Sequence, residues 1–339
     1  MLMRMKGHNG FSPCRICEIK GVRIPGDRSS VHYVPLNRAT CPHIQVNGHQ
    51  ISRYDPRELP LCMHSSLLQQ AREVEVAKSG AKANDLAKEY SIKGTPLLSY
   101  AHSLSFPQSF PYDFMHLIWE NLIPNLILHW TGNFKGLDEG GESYQLAKEI
   151  WETIGTQTLR AGTYIPSAYG GRVPDIAQDK TSCTAETWSF WTQYIGPVLL
   201  QNRFWNAKYY QHFVALVSLL NLCLQFEISK EEIEELWQGF VKWVEDYETC
   251  VIFFSNLLFS AKSTLTTVTT TRIIHVAYRL VHLRSTHFYT LPTASQQWGQ
   301  YGATGPFQWN AIVAVSSFHF VPDGFLMRHW IDMSLKMHS

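Results

Sequence analysis

The sequence predicts a protein of mixed α/β class that is mainly α-helical and ends in an unpatterned tail. Three observations lead to this prediction. Apolar residues recur at helical spacing through much of residues 65–249. Residues 1–64 form a basic subdomain that is rich in Gly, Pro and His and contains short extended pieces such as 31–36. Residues 251–322 contain no Asp or Glu and show neither helical nor clean strand periodicity.

The N-terminal subdomain is distinguished by its charge. Residues 1–60 carry nine Lys/Arg and four Asp/Glu, a net charge of +5, whereas the whole chain of 339 residues has a net charge of +1. Bulk charge therefore does not indicate nucleic-acid binding. The basic segment has two interpretations, a surface that faces phosphate or an ordinary solvated surface, and the sequence leaves both open.

The cysteines indicate a reducing compartment. Seven cysteines form an odd, scattered set without a secretory signal ahead of them, so we expect reduced thiols in a cytosolic or nuclear protein that is not secreted. Cys14 and Cys17 have the C-x-x-C spacing of half a zinc site. The alternative is a pair of ordinary reduced thiols. The candidates for further zinc ligands are His8, His32, Cys41, His43 and His64.

Helical patterns follow one another through the middle of the chain. Residues 65–90 read as helical up to the phrase KGTP, and residues 114–130 read as a buried core helix. Residues 186–205 and 208–226 read as two aromatic-rich buried helices. The longest apolar runs are shorter than the roughly 20 residues that span a membrane, so no membrane partner is expected.

The clearest helix begins after Ser229. The phrase SKEE is a capping box, with Ser229 at the N-cap and Glu232 three residues later. The apolar residues that follow at helical spacing predict one buried face. They are Ile233, Leu236, Trp237, Phe240, Val241, Val244 and Tyr247.

Asp113 is an acidic residue in a nearly unbroken apolar stretch, SFPYDFMHLIWENLIPNLILHW. A carboxylate in apolar surroundings requires a hydrogen bond, an ion pair or a metal. One interpretation is a cap on the helix that begins at Phe114, and the spacing favours this cap. The other is a metal ligand that His116 orients. Candidate carboxylate partners for such a site are Glu227, Glu186 and Asp175.

Several long phrases resemble a known family. They are KGHNGFSPCRICEIKGVR, SFPYDFMHLIWENLIPNLILHWTGNFKGLDEG, YIPSAYGGRVPDIA, TAETWSFWTQYIGPVLLQ and YYQHFVALVSLLNLCLQFEIS. Over most of residues 1–249 the chain resembles Tnp2-like transposases of CACTA (En/Spm) DNA transposons, in the form found in basidiomycete fungi. The resemblance implies an RNase H-like catalytic core of the DDE type with a helical insertion. It also implies a nuclear location and two partners, the DNA of transposon ends and a full-length transposase.

In that family three carboxylates hold two Mg²⁺ ions for phosphodiester cleavage and strand transfer. The family's D-x-M-H motif falls on Asp113 and His116, so the resemblance makes them catalytic residues and Asp113 a Mg²⁺ ligand. We expect the first carboxylate to lie upstream of Met1. The third, a Glu in a phrase of the type F-P-M-E-R-Y, is absent from the printed sequence. The RNase H-like core is therefore expected to be incomplete.

A second reading frame accounts for the absent Glu. When residues 297–311 are back-translated and read two nucleotides later, the permitted sequences include MGPVWCYWAFPMER, and the codons of Trp309 and Asn310 require its Glu. We therefore expect residues 250–339 to be an out-of-frame, poorly ordered tail. A retained intron near residues 251–261 or a lost nucleotide would produce it.

These expectations together favour a fragment of a DDE transposase that does not cleave DNA. Two alternatives remain open. One is a remnant that binds DNA or protein without catalysis, and the other is a pseudogene product without function.

Overall fold

The computed structural model describes residues 4–6, 12, 14, 16–20, 36, 53–107, 109–110, 113–133, 143–166, 172–225 and 227–249. These residues belong to two compact units, one that extends to residue 110 and one that begins at Asp113. Several expectations lie outside the described residues. They concern the tail and its shifted-frame phrase, the extended piece 31–36 apart from Leu36, and the zinc-ligand candidates His8, His32, Cys41 and His43.

The described residues are mainly helical, which confirms the predicted class at that level. The α-helices are α1 (His64–Glu75), α2 (Gly80–Tyr90), α3 (Ile123–Trp130), α4 (Lys148–Ala161), α5 (Ala185–Phe190), α6 (Gly196–Leu199), α7 (Ala207–Cys223) and α8 (Lys230–Tyr247). Short 3₁₀ turns cover Leu97–Tyr100 and Lys180–Ser182. Within the described ranges, none of the helices has the length and apolar character needed to cross a membrane.

In the first unit, the helical pattern predicted over residues 65–90 forms two helices instead of one. The second helix, α2, starts after Ser79, whose Oγ accepts a hydrogen bond from the backbone N–H of Lys82 at 3.2 Å. It ends at Ser91, which adopts φ +59°. The buried residues that join α1 to the segment after α2 are Leu67, Ala71, Ile92 and Phe106.

Strand pairing in the described part of the first unit consists of isolated antiparallel bridges. One joins Met5 to Ile92, and another joins Cys17 to Leu61. The backbone N–H of Lys93 donates to the carbonyl of Arg4 at 2.7 Å, which secures the first pairing. The described part of the chain therefore has almost no strand, and the RNase H-like core stays a prediction.

In the second unit, two helices contain π-helical segments that directly precede a proline. Met115–Leu122 runs into α3, which has Pro124 in its first turn, and Trp191–Ile195 runs into α6, which has Pro197 there. Proline has no N–H to donate, and its ring clashes with the carbonyl four residues earlier. In a π-helix that carbonyl accepts a hydrogen bond from the N–H of the residue after the proline. The wider helix therefore accommodates the proline.

The second unit has an aromatic core. Trp130 meets Phe204 and Phe213 edge to face, with ring centroids 5.5 and 5.3 Å apart. Where α7 packs against α8, the His212 ring stacks on Trp243 at 4.5 Å. The Trp243 Nε1–H also donates to the carbonyl of His212 at 3.0 Å. Burial lowers the pKa of His212 to about 4, so the ring is neutral at neutral pH.

Two sequence predictions for this unit need correction. Within α8, Trp243 is buried, whereas Trp237, which was assigned to the buried face, is only partly buried. The helix predicted over residues 186–205 ends at Leu199, and the chain then turns until α7 begins. The prediction of a buried helix in that region holds for its first part only.

Candidate functional site

Asp113 lies at the exposed beginning of the helix that the apolar stretch forms. Its Oδ1 accepts the backbone N–H of His116 at 3.2 Å, and its carbonyl accepts the N–H of Leu117 at 3.0 Å. This is the hydrogen bonding of an N-cap residue, so the capping interaction expected from the spacing is present. The side chain of Asp113 is 58% exposed, so the carboxylate stays in contact with water even though the stretch after it is buried.

The His116 ring lies between two carboxylates on the same helix face. Its Nδ1 is 2.8 Å from Asp113 Oδ2, and its Nε2 is 3.5 Å from Glu120 Oε2. Spacings of three and four residues place these side chains side by side on a helix. The sequence pointed to Asp113 and His116 but missed Glu120, although the i, i+4 spacing in HLIWE was a visible signal.

The electrostatics of this triad favour the charged forms. The hydrogen bond that the His116 ring donates to Asp113 and the negative charge of Asp113 raise the pKa of His116 above its ordinary value, and Glu120 adds to the effect. Burial acts to raise the pKa of Asp113, but the hydrogen bonds from the ring and backbone of His116 outweigh it and hold that pKa below its usual range. The raised pKa of His116 therefore favours an imidazolium between the two carboxylates at higher pH than in a free imidazole.

The arrangement at Asp113 does not by itself fit a Mg²⁺ site. Both carboxylate oxygens already accept hydrogen bonds from His116, and Mg²⁺ prefers an octahedral shell of oxygen ligands. Among the residues that the structure describes, no three or more His, Cys, Asp or Glu side chains are grouped so as to hold a metal. Asp175, a candidate partner, caps a turn with its Oδ1, which accepts from Ala177 at 2.9 Å. The assignment of Asp113 as a Mg²⁺ ligand stays a prediction.

The C-x-x-C pair forms a compact turn in the first unit. The backbone N–H groups of Ile16 and Cys17 both lie 3.4 Å from the sulfur of Cys14 and donate to it. Such N–H donors stabilise negative charge on a sulfur, which suits a thiolate ligand. Burial, followed by the hydrogen bond to Cys14, raises the pKa of Cys17 well above its ordinary value. A metal at this turn must therefore displace the Cys17 proton.

A third thiol, Cys62, lies near this turn and was missed by the sequence analysis. The N–H of Cys62 donates to the carbonyl of Ile16 at 2.8 Å, and Glu18 donates to Pro60 at the same distance. Burial and the nearby charge of Cys14 raise the pKa of Cys62. No spacing rule could have found this residue, because the pairing of two distant segments brings it there. His64, a predicted zinc-ligand candidate, instead accepts the N–H of Phe106 on its Nδ1 at 2.8 Å.

Comparison of the chain with protein-family models, with curated proteins and with solved structures finds no match.

Proposed function

We propose that this chain is a remnant of a DDE-type transposase of the CACTA class that does not cleave DNA. The observation that carries the proposal is the D-x-M-H motif. Asp113 and His116 lie exposed at the start of a buried helix, and the ring of His116 holds the Asp113 carboxylate at 2.8 Å. This role implies a nuclear location, the ends of a DNA transposon as substrate and a full-length transposase as partner.

We infer the absence of cleavage from the missing third carboxylate, the Glu of the F-P-M-E-R-Y phrase, together with the contacts that Asp113 already makes. Two-metal cleavage requires carboxylates that bind both ions and neutralise the developing charge. The contacts of Asp113 are with His116, and the neighbouring carboxylate, Glu120, contacts the other side of the same ring. The proposed remnant therefore retains the D-x-M-H motif on a folded helix, but it lacks the set of carboxylates that would bind two Mg²⁺ ions.

A nicking assay tests this proposal. Supercoiled plasmid that carries CACTA-type terminal repeats would be incubated with the full chain in Mg²⁺, alongside Asp113→Ala and the matched surface control Asp85→Ala. We expect none of the three proteins to nick above background. Mg²⁺-dependent nicking that is retained in Asp85→Ala and lost in Asp113→Ala would overturn the proposal.

A second function, binding of nucleic acid without cleavage, is favoured by the nine Lys/Arg of residues 1–60. Neutralised phosphates release counterions, so the logarithm of the affinity for duplex DNA should fall linearly with the logarithm of the salt concentration. Lys20→Gln and Arg53→Gln should each lower that slope by about 0.9. Lys148→Gln on α4 is the control, since Lys148 pairs with Glu152 at 3.7 Å and lies outside the basic segment. Equal slopes for all variants would contradict this function.

A further inference from the structure

A cleft in the first unit is lined by residues that belong neither to the thiol turn nor to the Asp113 triad. Its volume is about 550 Å³, within the range of small-ligand sites. Its lining residues are Arg4, Glu75, Lys93, Thr95, Leu97 and Tyr100. Its charged side consists of Arg4, Glu75 and Lys93, and its apolar side consists of Leu97 and Tyr100.

The charged side is held in place by Glu75. The carboxylate accepts from the Arg4 guanidinium at 2.8 Å, from the Thr95 hydroxyl at 2.7 Å and from the Thr95 N–H at 2.9 Å. The Thr95 hydrogen bonds, with the charge of Arg4, hold the pKa of Glu75 below its ordinary range. Glu75 therefore remains ionised and compensates the charge of Arg4.

Gly94 allows this close packing. It adopts φ +134°, where L side chains are disfavoured. A β-carbon there would lie 2.8 Å from Glu75 Oε1 and 2.9 Å from Arg4 Cζ, so a larger residue would strain the backbone and displace the ion pair. The charged side of the cleft is therefore formed before any ligand arrives.

The apolar side is an exposed surface formed by Leu97 and Tyr100. Leu97 and Tyr100 occupy the first and last positions of a 3₁₀ turn, where side chains three residues apart are eclipsed. Their exposed fractions are 62% and 74%. An aromatic ring beside an aliphatic side chain, both open to water, is a surface on which a flat apolar group can stack.

Lys93 provides the remaining charge. Its side chain is exposed, and within the described part of the chain no acidic residue pairs with it. Since the charge of Glu75 compensates that of Arg4, Lys93 gives the cleft one net positive charge beside the apolar surface of Leu97 and Tyr100. A ligand that fits combines a flat ring with an adjoining anion.

We propose that this cleft binds single-stranded nucleic acid, with a base stacked on Tyr100 and the adjoining phosphate held by Lys93. The inference rests on the nucleic-acid-binding function proposed above and adds two contact residues outside the basic segment of residues 1–60. An unpaired strand fits better than a duplex, because bases inside a duplex are stacked on each other and cannot reach a protein ring. Base-on-aromatic stacking tolerates any sequence, so no base preference is expected.

Fluorescence anisotropy with a labelled oligo-dT strand tests the proposal on the full chain. Loss of one stacked base should weaken binding by about tenfold, so Tyr100→Ala should raise Kd by that factor. Tyr100→Phe, which keeps the ring, should bind as the parent does. Tyr164→Ala, at an exposed tyrosine in the second unit, is the matched control and should leave Kd unchanged. Lys93→Gln should lower the salt slope by about 0.7.

The outcomes separate this inference from the function on which it rests. If Tyr100→Ala and Tyr164→Ala bind the single strand equally well, the cleft is not the site, whether or not the chain binds DNA. In that case, duplex binding with the salt dependence expected of the basic segment would still support the nucleic-acid-binding function proposed above. If neither strand form binds, both proposals fail. Circular dichroism of each variant confirms that its helices are intact before its Kd is interpreted.

Discussion

At the scale of single residues, His116 is the partner that the Asp113 carboxylate requires. The carboxylate is not buried among apolar side chains, because it lies at the exposed end of the stretch and pairs with the His116 ring. Because the pKa of His116 is raised by folding, its contribution to stability is complete below the unfolded value of about 6.5. That contribution is lost as the pH rises through the folded value. Solvent screens these exposed groups and keeps the effect small.

The first prediction concerns this titration. In Asp113→Asn the ring loses its closest negative partner, so the pKa of His116 should fall toward 6.5. Nuclear magnetic resonance of the imidazole protons measures it, with His116→Gln to assign the signal. Asp85→Asn, an exposed change on α2, should leave the titration where it was. An unaltered pKa in Asp113→Asn would contradict the geometry of the pair.

The second prediction concerns the thiol turn. If the Cys14 sulfur is a thiolate ligand, the purified chain should contain one zinc ion per molecule by elemental analysis. Cys14→Ser and Cys17→Ser should abolish the zinc, and Cys62→Ser should weaken it if Cys62 is a third ligand. Cys183→Ser, at a cysteine in the second unit, is the control. Zinc-free protein that folds identically would support the alternative of ordinary thiols.

At the scale of elements, α8 shows how a local signal specifies a helix. The Ser229 Oγ accepts the N–H of Glu232 at 3.1 Å, and the Glu232 carboxylate accepts the N–H of Ser229 at 2.7 Å. Both halves of the predicted capping box are therefore confirmed. The interaction needs only a few successive residues, so tertiary context does not alter it.

The third prediction tests this cap. Ser229→Ala should lower the free energy of unfolding by about 1 kcal/mol, because an N–H at the helix start loses its acceptor. Ser218→Ala is the matched control, since the Ser218 hydroxyl bonds back to the Val214 carbonyl inside α7. That change should be nearly neutral. Urea denaturation followed by tryptophan fluorescence measures both. Equal losses would show that the capping box does not contribute to stability.

The fourth prediction concerns the close packing of α4. A β-carbon at Gly155 would clash with Asp175 Oδ1 and would lie 2.6 Å from the Ala177 β-carbon. Gly155→Ala should therefore cost about 1–3 kcal/mol of stability. Gly80→Ala at the start of α2 meets nothing within 4 Å and should be neutral or slightly stabilising. The same denaturation measurement applies, and a neutral Gly155→Ala would contradict this packing.

At the scale of the whole molecule, the reading frame provides the fifth prediction. The permitted phrase with its required Glu implies that the genomic locus carries an intron or a lost nucleotide near residues 251–261. Sequencing of the locus and its transcript should recover the F-P-M-E-R phrase in the corrected frame. A locus and transcript that both read as printed, without a splice site, would contradict it.

The sequence predicted some elements better than others, for physical reasons. Helical periodicity identified most of the buried face of α8, but it placed Trp237 on that face and left out Trp243. Periodicity shows that a helix has an apolar face, but it does not show which edge of that face the neighbouring helix covers. The break between α1 and α2 was missed, although Ser79 and Gly80 are a cap signal within it. In the candidate site, the i, i+3 spacing sufficed to associate Asp113 with His116.

By itself, then, the sequence determined the mainly helical class and the cap of α8, and it singled out Asp113 with His116 and Cys14 with Cys17. Each depends on residues a few positions apart, whose distances the local backbone sets. Only the tertiary structure placed Cys62 near the thiol turn, joined Arg4 to Glu75 and stacked His212 on Trp243. Those contacts join segments far apart in the chain, and the burial of apolar surface across the whole unit decides which segments meet.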